Sequence, residues 1–209
     1  MVASMDTPET GEREAILRAA IRLFAALSYD ATSMGQVAEA AGVDVATATR
    51  YFPTKRGLYL EVMEHAQRAL AAAVEQPARD AQAGPPGRSL EALHRFVDAY
   101  IDLCAGHPEI PALWTHRWMS DASDIDHLEA HSLQPLTQQF VDGFATLAEP
   151  AEADPPLLTY TIVWCIHGFT LSGILDGTGH RIGMSDPALL ARFRAHMHQL
   201  LDRVLRLPD

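Results

Sequence analysis

The chain has 209 residues, 48% of them hydrophobic and 21% charged, which is enough apolar sequence for a buried core and too much for a disordered chain. Its 16 Lys and Arg against 27 Asp and Glu give a net charge of −11 with His neutral. Such a balance excludes a protein that coats nucleic acid with its whole surface, because phosphate attracts clustered cations.

In chain order, Ile16, Leu17, Ile21, Phe24 and Leu27 recur at helical spacing, with Glu12 and Glu14 in the first turn, where the helix dipole favours acids. Ser33-Met34-Gly35-Gln36 is a capping box opening a short helix, which Gly42 ends by taking left-handed backbone. Asp44 caps a third helix over 45–52, stopped by Pro53, and Thr54 caps a fourth running to about Glu75. Pro77, Gly84, Pro85, Pro86 and Gly87 mark 76–88 as loop. Helices then follow from Ser89 to about Ala105, over 111–119 after the His107-Pro108 break, and from Ser123 or Asp124 to about Leu147. Asp154-Pro155 and Asp186-Pro187, each a cap with a first-position proline, open the last two helices, the second of which reaches Leu207. No stretch shows strand alternation, and ILDGTGHRIG reads as the loop before the final helix. The expected fold is all-α with about nine helices: an N-terminal three-helix domain over 1–60 and a C-terminal helical bundle over 61–209.

Two short helices joined by a tight glycine turn at 33–52, with a longer helix on each side, have the layout of a helix-turn-helix, whose second helix enters the major groove. Val37, Ala38, Ala41, Val43, Ala48 and Phe52 form its inward set. Two ordinary short helices of a bundle would show the same periodicity.

The stretch ILRAAIRLFAALSYDATSMGQVAEAAGVDVATATRYFPTKRGLYLEVM resembles the N-terminal domain of the TetR (tetracycline repressor-like) family of transcriptional regulators. The resemblance runs through Ala15-Ile16, Leu23-Phe24, Thr32-Ser33, Val37-Ala38, Ala41-Gly42-Val43, Tyr51-Phe52 and Lys55-Arg56-Gly57-Leu58. It implies a helix-turn-helix that binds DNA through Ser33, Val45, Ala46, Thr47, Thr49, Arg50, Tyr51 and Lys55. Ser33 would set a hydroxyl against phosphate, Val45, Ala46 and Thr47 would open the recognition helix, and Lys55 would hold a phosphate with the fourth helix's N-terminus. Thr49 departs from the family, which usually has a tyrosine there, so that backbone contact is weakened or replaced by Arg50. Arg50 alone on the recognition helix can make a bidentate contact to guanine, and a phosphate contact is the equal alternative. Tyr51 either touches DNA or packs against the first helix.

Past residue 60 stand all ten histidines and all three tryptophans. The resemblance implies that this part binds a small molecule and forms a homodimer. Phe96, Tyr100, Trp114, Arg117, Trp118, Phe140, Phe144, Trp164, His167 and Leu171 are the candidate lining of an apolar, aromatic effector site. Arg117 and His167 stand out there, because buried ionisable groups need a partner that a ligand can supply. A dimer interface is expected from the last two helices, through Gly168, Ser172, Phe193, Met197, Leu200, Leu201 and Val204.

Cys104 and Cys165 share neither metal nor redox spacing and suit a reducing cytoplasm. The N-terminus has no signal-peptide pattern. Residues 155–175 lack Asp, Glu, Lys and Arg, yet they hold Thr159, Tyr160, Thr161, His167, Thr170 and Ser172 between acidic flanks, which fits a helix buried in protein better than a membrane span. Asp124, Asp126, His127 and His131 include a His pair at i and i+4, but a solvated acidic surface explains them more simply, and neither metal nor cofactor is expected. No catalytic serine elbow, phosphate loop or dinucleotide glycine pattern is present, so the chain is not expected to be an enzyme.

The combined expectation is a cytoplasmic, homodimeric repressor that binds a near-palindromic operator of double-stranded DNA and is released by an apolar or aromatic effector. A metal-dependent helical-bundle enzyme and an interaction protein with a weakened helix-turn-helix are the alternatives. The acid sits away from the DNA-binding region: residues 1–60 carry a balance of −1 and residues 61–209 of −10, while Arg50, Lys55 and Arg56 face no acid within 45–60.

Overall fold

The computed structural model describes residues 8–83, 86–148 and 152–205, and among them the chain is helical apart from one small hairpin. Ten helices run in order: α1 (Pro8–Leu27), α2 (Met34–Ala41), α3 (Val45–Tyr51), α4 (Lys55–Ala83), α5 (Pro86–Gly106), α6 (Glu109–Trp118), α7 (Leu128–Ser132), α8 (Gln134–Ala148), α9 (Pro155–Ser172) and α10 (Pro187–Val204). Residues 112–126 group with the N-terminal residues up to 66 as one compact unit, and residues 67–111 and 127 onward form a second.

The first unit is built by the local signals of its sequence. Ser33 and Gln36 form a reciprocal capping box at α2, Gly42 ends that helix at φ 73°, and the Asp44 carboxylate accepts the Thr47 amide at 2.7 Å to start α3. These caps fix a sharp α2–α3 turn, so Val37, Ala38, Ala48 and Phe52 face Ile16, Ala20 and Phe24 of α1. Small residues at 38 and 48 allow the helices to approach closely. Phe24, Tyr29 and Tyr59 complete the core as a ring cluster, with Phe24 and Tyr59 edge to face at 5.4 Å.

In the second unit α5 packs against α8, α9 and α10. The core is formed by Leu93, Phe96, Val97, Ile101, Phe140, Ile162, Ile166, Met197 and Leu201, with Phe96 and Phe140 at 4.1 Å between ring centres. Between α5 and α10, Asp98 meets both Arg194 and His198, and the His94 and His198 rings stack at 4.3 Å.

Three expectations about elements are corrected. The fourth helix does not stop near Glu75 but continues through Pro77 to Ala83. Arg79 pairs with Glu75 and Gln76 donates to Asp80 at 2.8 Å, so side-chain bonds bracket the turn where the proline removes a backbone bond. The helix expected from about residue 123 to 147 is two helices, α7 and α8, preceded by a tight turn in which His127 takes a φ of 60°. Arg117 builds that turn, donating to the carbonyls of Asp121, Ala122 and Ile125. The glycine-rich segment before α10 is a hairpin and not a plain loop: β1 (Ile174–Leu175) pairs antiparallel with β2 (Arg181–Ile182). The Asp176 carboxylate accepts the amides of Thr178 and His180 at 2.8 Å, which closes the turn. Gly173, at φ 57°, lies where a Cβ would collide with the Ile182 carbonyl, so only glycine fits there.

Candidate nucleic-acid interface

Val45, half exposed, opens α3 beside exposed Ala46, and Thr49 and Arg50 are exposed one turn later. Ser33, at the start of α2, is exposed as well, whereas Thr47 and Tyr51 are half-buried. The two short helices thus present one surface made of apolar contacts, hydroxyls and one guanidinium. Asp44 adds a carboxyl held below the usual carboxylate range, chiefly by the Thr47 amide and hydroxyl, with Arg50 assisting.

The hydroxyls on this surface already have partners. Ser33 Oγ accepts the Gln36 amide at 3.2 Å and lies 2.9 Å from Gln36 Oε1. Thr49 donates its hydroxyl back to the Val45 carbonyl at 2.7 Å, the usual use of a short hydroxyl inside a helix.

Lys55 differs from its expected role. Its ammonium donates to the carbonyls of Tyr29 at 2.9 Å and Thr32 at 3.0 Å and sits 4.1 Å from the Tyr29 ring centre. It fastens the α1–α2 turn from inside, leaving at most one of its three N–H donors for a phosphate. Tyr51 shows the packing alternative: it is half-buried and donates its hydroxyl to Glu12 of α1 at 3.1 Å.

The α1–α2 turn is also held from a distant part of the sequence. Asp121, buried, accepts the Tyr29 amide at 2.7 Å and the Asp30 amide at 2.9 Å, and His116 Nε2 lies 3.1 Å from the Ala25 carbonyl. Asp121 did not stand out in the sequence, and Glu12 stood out only as a first-turn acid. Their partners lie 91 and 92, or 38 and 39, positions away, and no local pattern marks such pairs.

The residues expected to line an effector site separate. Trp114, Arg117 and Trp118 fall in the first unit, where Trp114 is buried and Arg117 binds the carbonyls already described, so protein supplies the partner expected from a ligand. Phe96, Tyr100, Phe140 and His167 gather in the second unit's core. There the Tyr100 hydroxyl and His167 Nε2 share a hydrogen bond. Burial lowers the His167 pKa to about 4 and raises the nearby Cys104 thiol to about 12, so both are neutral in this interior. The side chain of Phe144 lies outside the described residues.

Trp164 and Leu171 do not line the interior: they are 55% and 44% exposed. α9 is apolar on all sides, so its sequence could not reveal the inward face. Leu158, Ile162, Ile166 and Phe169 take that face, which puts Trp164, two residues after Ile162, nearly opposite it. The expected interface divides in the same way. Met197 and Leu201 are buried in this chain's own core and cannot meet a partner, and Phe193 stacks on Phe169 at 4.0 Å with Leu200 half-buried beside that core. Gly168, Ser172 and Val204 remain on the surface. With Leu157, Tyr160, Trp164, Leu171, Ile174 and Leu175, Gly168 and Ser172 leave an exposed, mostly apolar strip along α9 and the hairpin, while Val204 is exposed at the end of α10. A groove of about 670 Å³ runs beside it, lined by Gly168, Ser172, Phe193 and His196 among others.

Among the described residues no group of three His, Cys, Asp or Glu side chains is placed to hold a metal, and the side chain of His131 lies outside them. No helix among them is long and apolar enough to cross a membrane.

A short capped helix exposing its outer face after a glycine turn, packed on a longer helix, defines a helix-turn-helix DNA-binding protein with a helical C-terminal bundle. Residues 16–62, which span the helix-turn-helix and parts of α1 and α4, match the model of the bacterial regulatory proteins of the tetR family. The chain is 24% identical over 156 residues to the HTH-type transcriptional regulator RutR of Escherichia coli O157:H7, covering 73% of this chain and 71% of that protein. The fold is shared with a tetR-family regulatory protein from Rhodococcus RHA1, at a TM-score of 0.72 and 18% identity over 95% of this chain and 98% of that one. It is shared too with AibR in complex with isovaleryl coenzyme A and operator DNA, at a TM-score of 0.69 and 16% identity over 90% and 97% of the two chains.

Proposed function

We propose that this protein is a cytoplasmic, ligand-responsive repressor that binds a near-palindromic operator as a homodimer. Residues 1–60 act as the DNA-binding domain, and residues 61–209 bind the effector and form the dimer. The observation that carries the reading is the exposed face of α3, which presents Val45, Ala46, Thr49 and Arg50 outward while Ala48 is locked in the core. Two such helices would lie about 34–36 Å apart in successive major grooves. The apolar strip of α9 supports dimerisation, since a strip with Trp164 and Leu175 more than half exposed is costly to leave in water. The polar group of Tyr100 and His167 amid Phe96 and Phe140 supports an effector that is largely apolar with few polar atoms. The crystal structure of AibR holds an acyl thioester of coenzyme A, so acyl-coenzyme A compounds belong in the first effector panel.

The test is a salt titration of binding to the DNA flanking this protein's own gene, with thermal-shift screening for the effector. A steep fall of affinity with salt, together with a ligand that both raises the melting temperature and weakens DNA binding, supports the repressor. Binding that ignores salt refutes DNA recognition, and ligands that stabilise the protein without altering DNA affinity refute effector control.

A further inference from the structure

We propose that Glu12 makes Arg50 a reader of base edges, holding its guanidinium in place for a neutral acceptor pair while disfavouring phosphate. This specificity role rests on the DNA-binding reading above. Glu12 stands on α1, yet its Oε2 lies 3.3 Å from Arg50 Nη2 and 3.1 Å from the Tyr51 hydroxyl, so one oxygen joins two neighbouring residues of the recognition helix. The Arg50 guanidinium lies 5.0 Å from the centre of the Tyr51 ring. An arginine side chain that is 62% exposed is thereby tethered on two sides, which lowers the conformational freedom it would lose on reading a base.

The charge arrangement chooses between the two possible uses of Arg50. Arginine carries five N–H donors, and the contact with Glu12 engages only the Nη2 end, leaving the rest of the fork for a bidentate contact. A phosphate oxygen bound to that fork would stand beside the Glu12 carboxylate, like charge against like charge. Guanine O6 and N7 are neutral acceptors and meet no such repulsion. Glu12 thus reduces the attraction of Arg50 for any DNA while preserving its geometry for one kind of base pair.

The experiment uses the full-length protein and needs no known operator. Wild type, Glu12→Gln, Arg50→Ala and the double variant are each used to select from a random-sequence duplex library, and each is titrated with salt on calf thymus DNA. The wild type is expected to select a G·C pair at one position per half-site, which Arg50→Ala loses and Glu12→Gln weakens several-fold. On calf thymus DNA, Glu12→Gln is expected to bind about two- to thirtyfold more tightly per dimer. Its salt dependence should steepen by about two, one new phosphate contact per subunit. The double variant should bind like Arg50→Ala, because the effect runs through the arginine. The proposal is overturned if Glu12→Gln keeps the wild-type base preference, or tightens non-specific binding equally when Arg50 is alanine. A wild type that binds no DNA at low salt overturns the DNA-binding role itself, and this proposal with it.

Discussion

Asp121→Ala tests whether the segment after α6 holds the helix-turn-helix in position. The carboxylate is buried and accepts the amides of Tyr29 and Asp30 at 2.7 and 2.9 Å. Hydrogen bonds to a charged group are each worth about 1.5–3 kcal/mol, and an amide left buried without a partner costs about 1–3 kcal/mol. Tyr29 is buried but Asp30 is exposed, so water can replace the second bond and not the first. The expected destabilisation is about 2–4 kcal/mol, which in a chain of this length lowers the melting temperature by roughly 5–15 °C. Asp121→Asn keeps one acceptor oxygen and should lose about half as much. Amide hydrogen exchange read by NMR makes the test local: the Tyr29 and Asp30 amides should exchange at least tenfold faster, and DNA affinity should fall because this turn leads directly into the Ser33 cap of α2. If Asp121→Ala melts within about 1 °C of wild type and both amides keep their protection, the carboxylate does not hold this turn and the reasoning fails.

On the α9 surface, Trp164→Glu should give a folded monomer in sedimentation and lose operator binding, since a 55% exposed side chain contributes little to its own subunit; a dimer that survives the change places the interface elsewhere. Alkylation of the native protein should label exposed Cys165 in that monomer and spare Cys104, buried and with its thiol pKa pushed up to about 12. His167, with a pKa lowered to about 4 by burial against about 6.5 when unfolded, makes stability depend on pH. The unfolded chain takes up this proton first as pH falls, so the contribution is complete above about 6.5 and is lost progressively towards pH 4. Near pH 4.5 the loss is about 2–3 kcal/mol, and denaturant titrations of His167→Asn should show a stability curve flatter than wild type by that amount. Equal slopes for the two proteins would show that His167 stays solvated in the native state.

Much of the N-terminal unit was legible in the sequence because its signals are local. Ser33 with Gln36, Gly42 and Asp44 specify caps and a turn within a dozen residues, and the inward positions Val37, Ala38, Ala48 and Phe52 follow from helical spacing. The charge pattern was equally readable, with the acid gathered beyond residue 60 and a short basic edge at Arg50, Lys55 and Arg56.

Composition and spacing could not say which polar groups meet across the fold, or which side of a helix apolar all round faces inward. Only the packed chain turned Lys55 towards the Tyr29 and Thr32 carbonyls, placed Asp121 under the same turn, and brought Glu12 to Arg50 and Tyr51. It likewise set Trp164 outside and Met197 and Leu201 inside. A cap is decided by a few adjacent dihedral angles, which sequence specifies directly. A contact between residues tens of positions apart is decided by how whole helices pack, and only the tertiary structure fixes that.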